Sequence, residues 1–395
     1  MYKKSEQLLA RALKSIPLAS QTFSKSLTQY PRGVSPFFIN KGKGSKILDA
    51  DGNEYIDFVN SLAAVTLGYC DKDVDKAVQE QMKNGVIFSL PHTLEMKVAE
   101  KLIEIIPCAE KVRFAKNGTD ATSASIRIAR AYTGKEHIAV CGYHGWQDWY
   151  IGSTARDLGV PNAVKKLTHK FEYNNINSLE KLFHEHELAC VIMEPMNVEY
   201  QENNFLEKVK ELAHQNNALL IFDETITGFR YSLGGAQELF NVIPDLATFG
   251  KGMANGYPLS AVVGSNKIMQ QVEDIFFSGT FGGETLSLAA ANAVINKYKK
   301  EGVIEHFYEI GTYLLEQLDR LIDNEVLGDI FWTSGHPSWS FLHIKEQEKY
   351  SSFEIKTFFL QESLKRGIIT LGGHNLSFSH TRKEIDRLIE VYSIV

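Results

Sequence analysis

Between about residues 95 and 280, apolar runs of strand length alternate with segments of helical period, which points to an α/β fold: a mostly parallel sheet wrapped by helices. The runs L-A-C-V-I-M from residue 188 and A-L-L-I-F from residue 218 read as buried strands. The segment T-L-E-M-K-V-A-E-K-L-I-E-I-I sets Leu94, Val98, Leu102 and Ile105 on one helix face. Ahead of it, residues 35 to 60 read as hairpin strands around the turn Asp51-Gly52-Asn53. After Gly283, a helix from Leu286 through Ala289, Ala290 and Ala293 leads into a second α+β unit. A chain of 395 residues normally divides into two domains, and no repeat, low-complexity tract or flexible linker interrupts this one.

In open α/β sheets ligands collect at the carboxyl ends of the strands, so the residues that follow each apolar run carry the chemical information. Glu194 follows one run, with Pro195 blocking its extension, and Asp223 ends the next. A carboxylate at a buried strand tip requires a cation or several hydrogen bonds; capping the next helix is the alternative role for Asp223. Lys251 lies in D-L-A-T-F-G-K-G-M-A-N-G-Y-P, a buried-strand pattern broken by glycines. An amine among apolar neighbours has a lowered pKa and can attack a carbonyl, whereas a solvated lysine has no such use. A further short strand turns through Asn117-Gly118-Thr119 into a helix whose first-turn N–H groups suit a phosphate, although the same three residues also serve as a capping turn. Tyr143 and His144 follow H-I-A-V-C-G, where an aromatic can stack on a flat ring or join the core.

In this order the pieces resemble the class III aminotransferases, pyridoxal-phosphate enzymes of fold type I, and within them the glutamate-1-semialdehyde aminomutase branch. The likeness runs nearly the whole chain: I-L-D-A-D-G-N-E-Y-I-D-F, L-G-Y, N-G-T-D-A, G-Y-H-G, I-M-E-P, D-E-T-I-T-G-F-R, F-G-K-G-M-A-N-G-Y-P and G-T-F-G-G. It implies a large domain with a mostly parallel seven-stranded sheet at residues 66–284, and a small α+β domain built from residues 1–65 and 285–395. It also implies a ping-pong transfer of an amino group from an amino acid, glutamate by expectation, to an aldehyde or ketone, with pyridoxamine 5'-phosphate as intermediate. Lys251 would hold pyridoxal 5'-phosphate as an aldimine and then shuttle the substrate proton, and Asp223 would keep the pyridine nitrogen protonated. Asn117, Gly118 and Thr119 would form the phosphate turn. Tyr143 would stack on one ring face with Thr225 against the other, and Glu194 would sit behind the ring near His144. Thr280 would reach the phosphate of a neighbouring subunit, making the working unit a homodimer.

The departures from the aminomutase pattern bear on substrate. Ser35-Pro36 is followed by Phe37-Phe38-Ile39 where those enzymes place an arginine suited to a carboxylate. The tryptophan expected near Ser61-Leu62-Ala63 is absent, Glu284-Thr285 replaces an Asn-Pro pair, and Thr225 replaces a valine. Glutamate semialdehyde is therefore disfavoured, and the acceptor is expected to be polyhydroxylated or nucleotide-linked, such as a surface-polysaccharide sugar precursor. His374 and Asn375 are candidates for hydrogen-bonding its hydroxyls, or alternatively for satisfying their own loop. Ser35, Phe37 and Glu284 complete the candidate substrate set, while Arg32 and Arg230 are positional candidates for a carboxylate or for structural ion pairs. An intramolecular aminomutase is the nearer rival, and a noncatalytic relative the more distant one.

A net charge of −6 without a basic run argues against nonspecific nucleic-acid binding. No stretch approaches the ~18 apolar residues of a membrane span. The amphipathic pattern M-Y-K-K-S-E-Q-L-L-A-R-A-L-K-S-I, broken by Glu6 and Gln7, does not read as a secretory signal. Cys70, Cys108, Cys141 and Cys190 lack C-x-x-C spacing, which fits a reduced cytoplasmic protein without a structural metal.

Overall fold

The computed structural model describes residues 2–395 and divides the chain into two compact units, residues 73–304 and residues 1–72 with 305–395. The larger unit is organised by seven strands: β1 Lys111–Ala115, β2 His137–Cys141, β3 Thr168–Lys170, β4 Leu188–Met193, β5 Leu219–Asp223, β6 Leu246–Phe249 and β7 Ser260–Gly264. Their order across the sheet is β1-β7-β6-β5-β4-β2-β3. All pairs are parallel except those made by β7, which runs antiparallel to both β1 and β6. Every residue of β4 through β7 is buried, because helices cover both faces of a parallel sheet and leave no solvated side to alternate with.

Since β7 alone is reversed, the carboxyl ends of β1, β2, β4, β5 and β6 share one edge. The helix Gly118–Thr133 (α2 hereafter, α1 being Thr93–Ile105) follows directly from β1 and buries Ala121, Ala124, Ile126, Ile128 and Ala129. Of these, Ala124, Ile126, Ile128 and Ala129 join Val140, Ile192, Ile221 and Val262 of the sheet in one core cluster. In α1, Val98 and Leu102 are buried as the periodicity requires, whereas Leu94 and Ile105 are only partly covered.

The expected start of the small domain at residue 285 differs from the observed division at 304/305. Helix Thr285–Glu301 stays with the large unit because its face of Leu288, Ala290, Ala291, Val294 and Ile295 is fully buried, packed on α1 and on the turn after β6. The N-terminal pattern does form a helix, Lys3–Ala12, whose free N–H groups at Lys4 and Ser5 donate to the Asp51 carboxylate at 2.6 and 2.8 Å. Asp51 belongs to the predicted turn between the strands Lys46–Asp49 and Glu54–Asp57, closed by Asp49, which accepts from the N–H groups of Asp51 and Asn53. The smaller unit has a second sheet of Phe331–His336, Trp339–Ile344 and Gly373–Asn375.

Gly311 lies inside the helix Val303–Asn324, a position where glycine is ordinarily unfavourable. A Cβ built there overlaps the Pro337 carbonyl, so backbone contact, not helix propensity, selects glycine. Gly311→Ala is expected to destabilise the fold by about 1–3 kcal/mol, read as a lower denaturant midpoint at unchanged slope. Among the described residues no helix is long and apolar enough to cross a membrane, and all four cysteines are free.

Candidate active site

Strand β6 ends at Phe249, and the chain leaves it through Gly250 into a 3-10 turn, Lys251–Ala254. Lys251 has φ of +40°, a left-handed conformation that costs a side-chain-bearing residue roughly 1–3 kcal/mol and clusters at functional sites. Its amine makes no hydrogen bond or ion pair among the described residues. Burial, with help from the nearby Arg230 charge, pulls the amine down to about 8, against the opposing pull of Glu194 and Asp223. Roughly a tenth of the amine is thus neutral at pH 7, against well under a thousandth at the ordinary 10.5.

Asp223, at the tip of β5, is buried and its carboxylate is fully engaged. Oδ1 accepts from the Thr225 N–H at 3.1 Å, the Thr225 hydroxyl at 2.6 Å and the Thr248 hydroxyl at 3.0 Å. Oδ2 lies 2.9 Å from Nδ1 of His144, whose Nε2 is 3.1 Å from the Cys141 carbonyl. Burial alone would raise this carboxyl, but the His144 and Thr225 hydrogen bonds overcome it and hold Asp223 below the usual range. Glu194, one residue past β4, accepts from the Tyr143 N–H at 2.8 Å and from Asn197 at 3.0 Å, and burial raises its carboxyl. That contact needs Gly142: its φ is +105°, and a Cβ there would lie 2.5 Å from Oε2 of Glu194.

The first turn of α2 forms a third wall. Asn117 is its N-cap, and the Asp120 carboxylate accepts from the Asn117 N–H at 2.8 Å. A Cβ on Gly118 would lie 3.0 Å from the Thr225 methyl carbon, so the missing side chain keeps open the space between the helix terminus and β5. Thr119 accepts from the Trp146 N–H at 3.3 Å. Tyr143 stands edge-on to Tyr150 with 61% of its surface exposed, leaving most of its ring uncovered. The large unit therefore brings Asn117, Gly118, Thr119, Tyr143, His144, Glu194, Asp223, Thr225 and Lys251 to one sheet edge.

Other expected residues stand differently. Thr280 is exposed and lines, with Phe114, Lys116, Asp120, Arg127 and Gln147, a surface cavity of about 380 Å³. Glu284 is an N-cap: it accepts from the Leu286 N–H at 2.6 Å and the Ser287 hydroxyl at 2.6 Å and pairs with Lys116 at 3.0 Å, leaving little for a substrate. His374 is wholly buried, with Nδ1 3.2 Å from Ser340 and Nε2 3.0 Å from Tyr392. Both ring nitrogens are therefore used inside the small unit, which corrects its reading as a hydroxyl-binding group. Asn375 pairs through its backbone with Phe58 and Trp339, while its side-chain oxygen is buried without a partner. The Ser35 hydroxyl donates to the Pro31 carbonyl at 2.5 Å, closing a turn. Arg32 is exposed and Arg230 fully buried.

Phe37 lines a cavity of about 450 Å³ in the small unit with Lys25, Tyr30, Phe38, Asp57 and Leu62. Beside it runs a feature that sequence reasoning did not find. Asn60, Ser61, Leu62 and Ala63 have φ of 45°, 53°, 60° and 66°, one turn of left-handed helix. Such a turn costs roughly 1–2 kcal/mol per residue and is held here by the Asp57 carboxylate, which accepts from the N–H groups of Val59 and Asn60 at 2.7 and 2.9 Å. Only Asn60 is a residue type that tolerates this conformation, so the sequence offers no pattern for the other three.

A family model for class-III aminotransferases matches residues 29–375. The chain is 35% identical over 370 residues to a 3-aminobutyryl-CoA aminotransferase of Cloacimonas acidaminovorans (strain Evry), covering 91% of this chain and 88% of that one. It is 38% identical over 322 residues to the glutamate-1-semialdehyde 2,1-aminomutase of Francisella philomiragia, covering 75% and 73%. The pyridoxal-phosphate internal aldimine form of the Sphingopyxis sp. MTA144 FumI protein superposes with a TM-score of 0.92 at 27% identity, covering 99% and 95%. The residues present fit that cofactor: an unpaired amine, an ionised buried carboxylate, and a helix N-terminus kept open at Gly118 are the groups its aldehyde, ring nitrogen and phosphate require.

Proposed function

Because the chain belongs to the class-III aminotransferase family and takes pyridoxal phosphate as cofactor, we propose that it is an aminotransferase passing nitrogen from glutamate to a ketone or aldehyde. The observation that carries this is the unpaired Lys251 amine, lowered to about 8, on the sheet edge shared with Asp223 and the open turn at Gly118. When bound, pyridoxal phosphate supplies an electron sink for charge developing on the amino-bearing carbon. Lys251 Nζ anchors the cofactor aldehyde and moves the proton of that carbon. Asp223, kept ionised by its donors, holds a proton at the ring nitrogen, and His144 holds Asp223 in place. Gly118 and Thr119 bind the phosphate, Tyr143 covers one ring face, and the Thr225 methyl covers the other while its hydroxyl steers Asp223.

Thr225→Val keeps the methyl and removes a hydrogen bond to a charged group, worth about 1.5–3 kcal/mol. With fewer donors the Asp223 carboxyl rises, so the acid limb of the pH–rate profile is expected to move to higher pH. An unmoved limb would remove Thr225 from that role.

For the acceptor, the segment that carries the aminomutase arginine is apolar here, and Phe37, Phe38 and Leu62 line its cavity. That supports a carbonyl compound recognised without a carboxylate at this segment. A sugar-linked acceptor satisfies the condition but loses the support of His374, whose nitrogens are engaged. A keto group beside an acyl thioester also satisfies it, and the name of the Cloacimonas relative favours it. The working unit is a homodimer in which Thr280 serves the neighbouring subunit's cofactor; the 82% and 58% exposed Phe276 and Phe281 flanking it support a buried role in an assembly.

The test follows the visible absorbance of the holoenzyme through glutamate and then 2-oxoglutarate. Loss of the band with glutamate and its return with the keto acid establish the donor half-reaction; the pyridoxamine form is then challenged with nucleotide-linked keto sugars and β-keto acyl thioesters. A band indifferent to every amino donor, with substrate nitrogen retained in the product, would make the protein an aminomutase.

A further inference from the structure

At the opposite end of β2 from Tyr143 stands a cluster that the proposed chemistry does not use. We propose that His137, His169 and His186 form a binding site for one divalent transition metal of the zinc class, clamping the edge of the large sheet.

The placement follows from strand register. His137 opens β2, His169 is the middle residue of β3, and His186 caps the helix before β4 with an extended backbone (φ −143°, ψ 146°). Ala139 of β2 is opposite His169, and His137 is opposite Leu188 of β4. Paired residues project to the same face, and the two-residue period of extended chain carries that face from Ala139 to His137 and from Leu188 back to His186. Three imidazoles from three neighbouring segments thus meet on one side of the sheet, and the small Ala139 leaves room beside them. No local spacing announces the cluster.

The dimensions suit a metal. Nδ1 of His137 is 2.9 Å from Nε2 of His169, and one ligand nitrogen from each of the three lies within 4.8 Å of the others. A tetrahedral ion bound at about 2.0–2.1 Å requires nitrogens about 3.4 Å apart, which these values bracket. The His169 and His186 rings are stacked with centroids 3.8 Å apart, so modest rotations about the ring torsions turn their lone pairs toward a common point. All three residues are half-buried, which leaves a path for the ion and a fourth position for water. An all-imidazole set suits zinc, nickel, cobalt or copper and not magnesium or calcium.

The chemistry agrees with the geometry. Two ring nitrogens at 2.9 Å share one proton at most, and three imidazolium rings so close would repel. A neutral imidazole in such a cluster offers a ring lone pair to the ion. The mechanical return is local: β3 is an edge strand of three residues, held to the sheet by β2 alone. A metal bridging it to β2 and to the lead-in of β4 would supply the missing restraint.

The experiment uses chelator-stripped holoenzyme titrated with Co²⁺ and, separately, Zn²⁺. One equivalent per chain is expected, with the visible spectrum of low-coordinate cobalt, displacement by Zn²⁺ and a raised thermal midpoint. His186→Gln and His169→Ala should each weaken Zn²⁺ binding at least about 100-fold, while cofactor absorbance and turnover stay unchanged. The His186 variant changes only a residue outside the strands, so folding is preserved even if the edge strand tolerates no substitution at His169. No stoichiometric uptake, a six-coordinate cobalt spectrum, or affinity unchanged in His186→Gln would overturn the proposal.

Discussion

Lys251→Ala is expected to lower kcat/KM by about 10,000-fold or more, since both the covalent anchor and the proton carrier at the reacting carbon are lost. The variant should still bind pyridoxal phosphate, because Asp223, Gly118 and Thr119 are untouched, but the cofactor should come away on gel filtration in denaturant and no lysyl adduct should survive borohydride reduction. In the parent apoprotein, capture of the cofactor should accelerate with pH through a midpoint near the lowered Lys251 value of about 8, well below the ordinary 10.5. The same displacement acts on stability. Between about 8 and 10.5 the unfolded chain holds the proton that the folded chain has released, so apoprotein stability gains as pH rises through that window. Near-normal turnover by Lys251→Ala would end the assignment of the amine.

Asp223→Asn should cost about 100- to 1000-fold in kcat, the scale on which a preorganised charge at a reacting system acts, with a smaller effect on KM. The argument lies in the donors around the carboxylate. Thr225, Thr248 and His144 all point at it, so an amide NH₂ in its place faces donors on whichever side it is turned. The variant therefore loses both the negative charge and part of its hydrogen bonding, and a drop in thermal midpoint should accompany the kinetic loss. Asp223→Glu, which restores charge but displaces it, separates the two: recovery of the midpoint without recovery of kcat marks the charge's position as the catalytic quantity. Loss of stability alone, with kcat intact in Asp223→Asn, would reduce Asp223 to a structural role.

The sequence by itself determined the large-unit architecture and the edge at which chemistry collects. Runs such as Leu188–Met193 and Leu219–Asp223 have no polar alternation, so they could only be strands covered on both faces, and whatever ended them had to sit at a ligand-bearing edge. Local rules sufficed there because burial and period are properties of contiguous residues. They sufficed again at Asp51-Gly52-Asn53 and at the helix starting from Gly118. Tertiary structure decided what depends on residues remote in sequence. His374 read as a free polar group because its partners, Ser340 and Tyr392, lie 34 and 18 residues away. Thr225 read as a ring-facing side chain, and only the fold shows its hydroxyl turned onto Asp223. Glu284 looked like a substrate contact until the helix it caps supplied its donors. The left-handed turn at Asn60–Ala63 is imposed by Asp57 and Asn375 against the local preference of Ser61, Leu62 and Ala63. The three histidines meet only through the pairing of β2 with β3 and β4, because lateral register is set by strand packing and is written in no single segment.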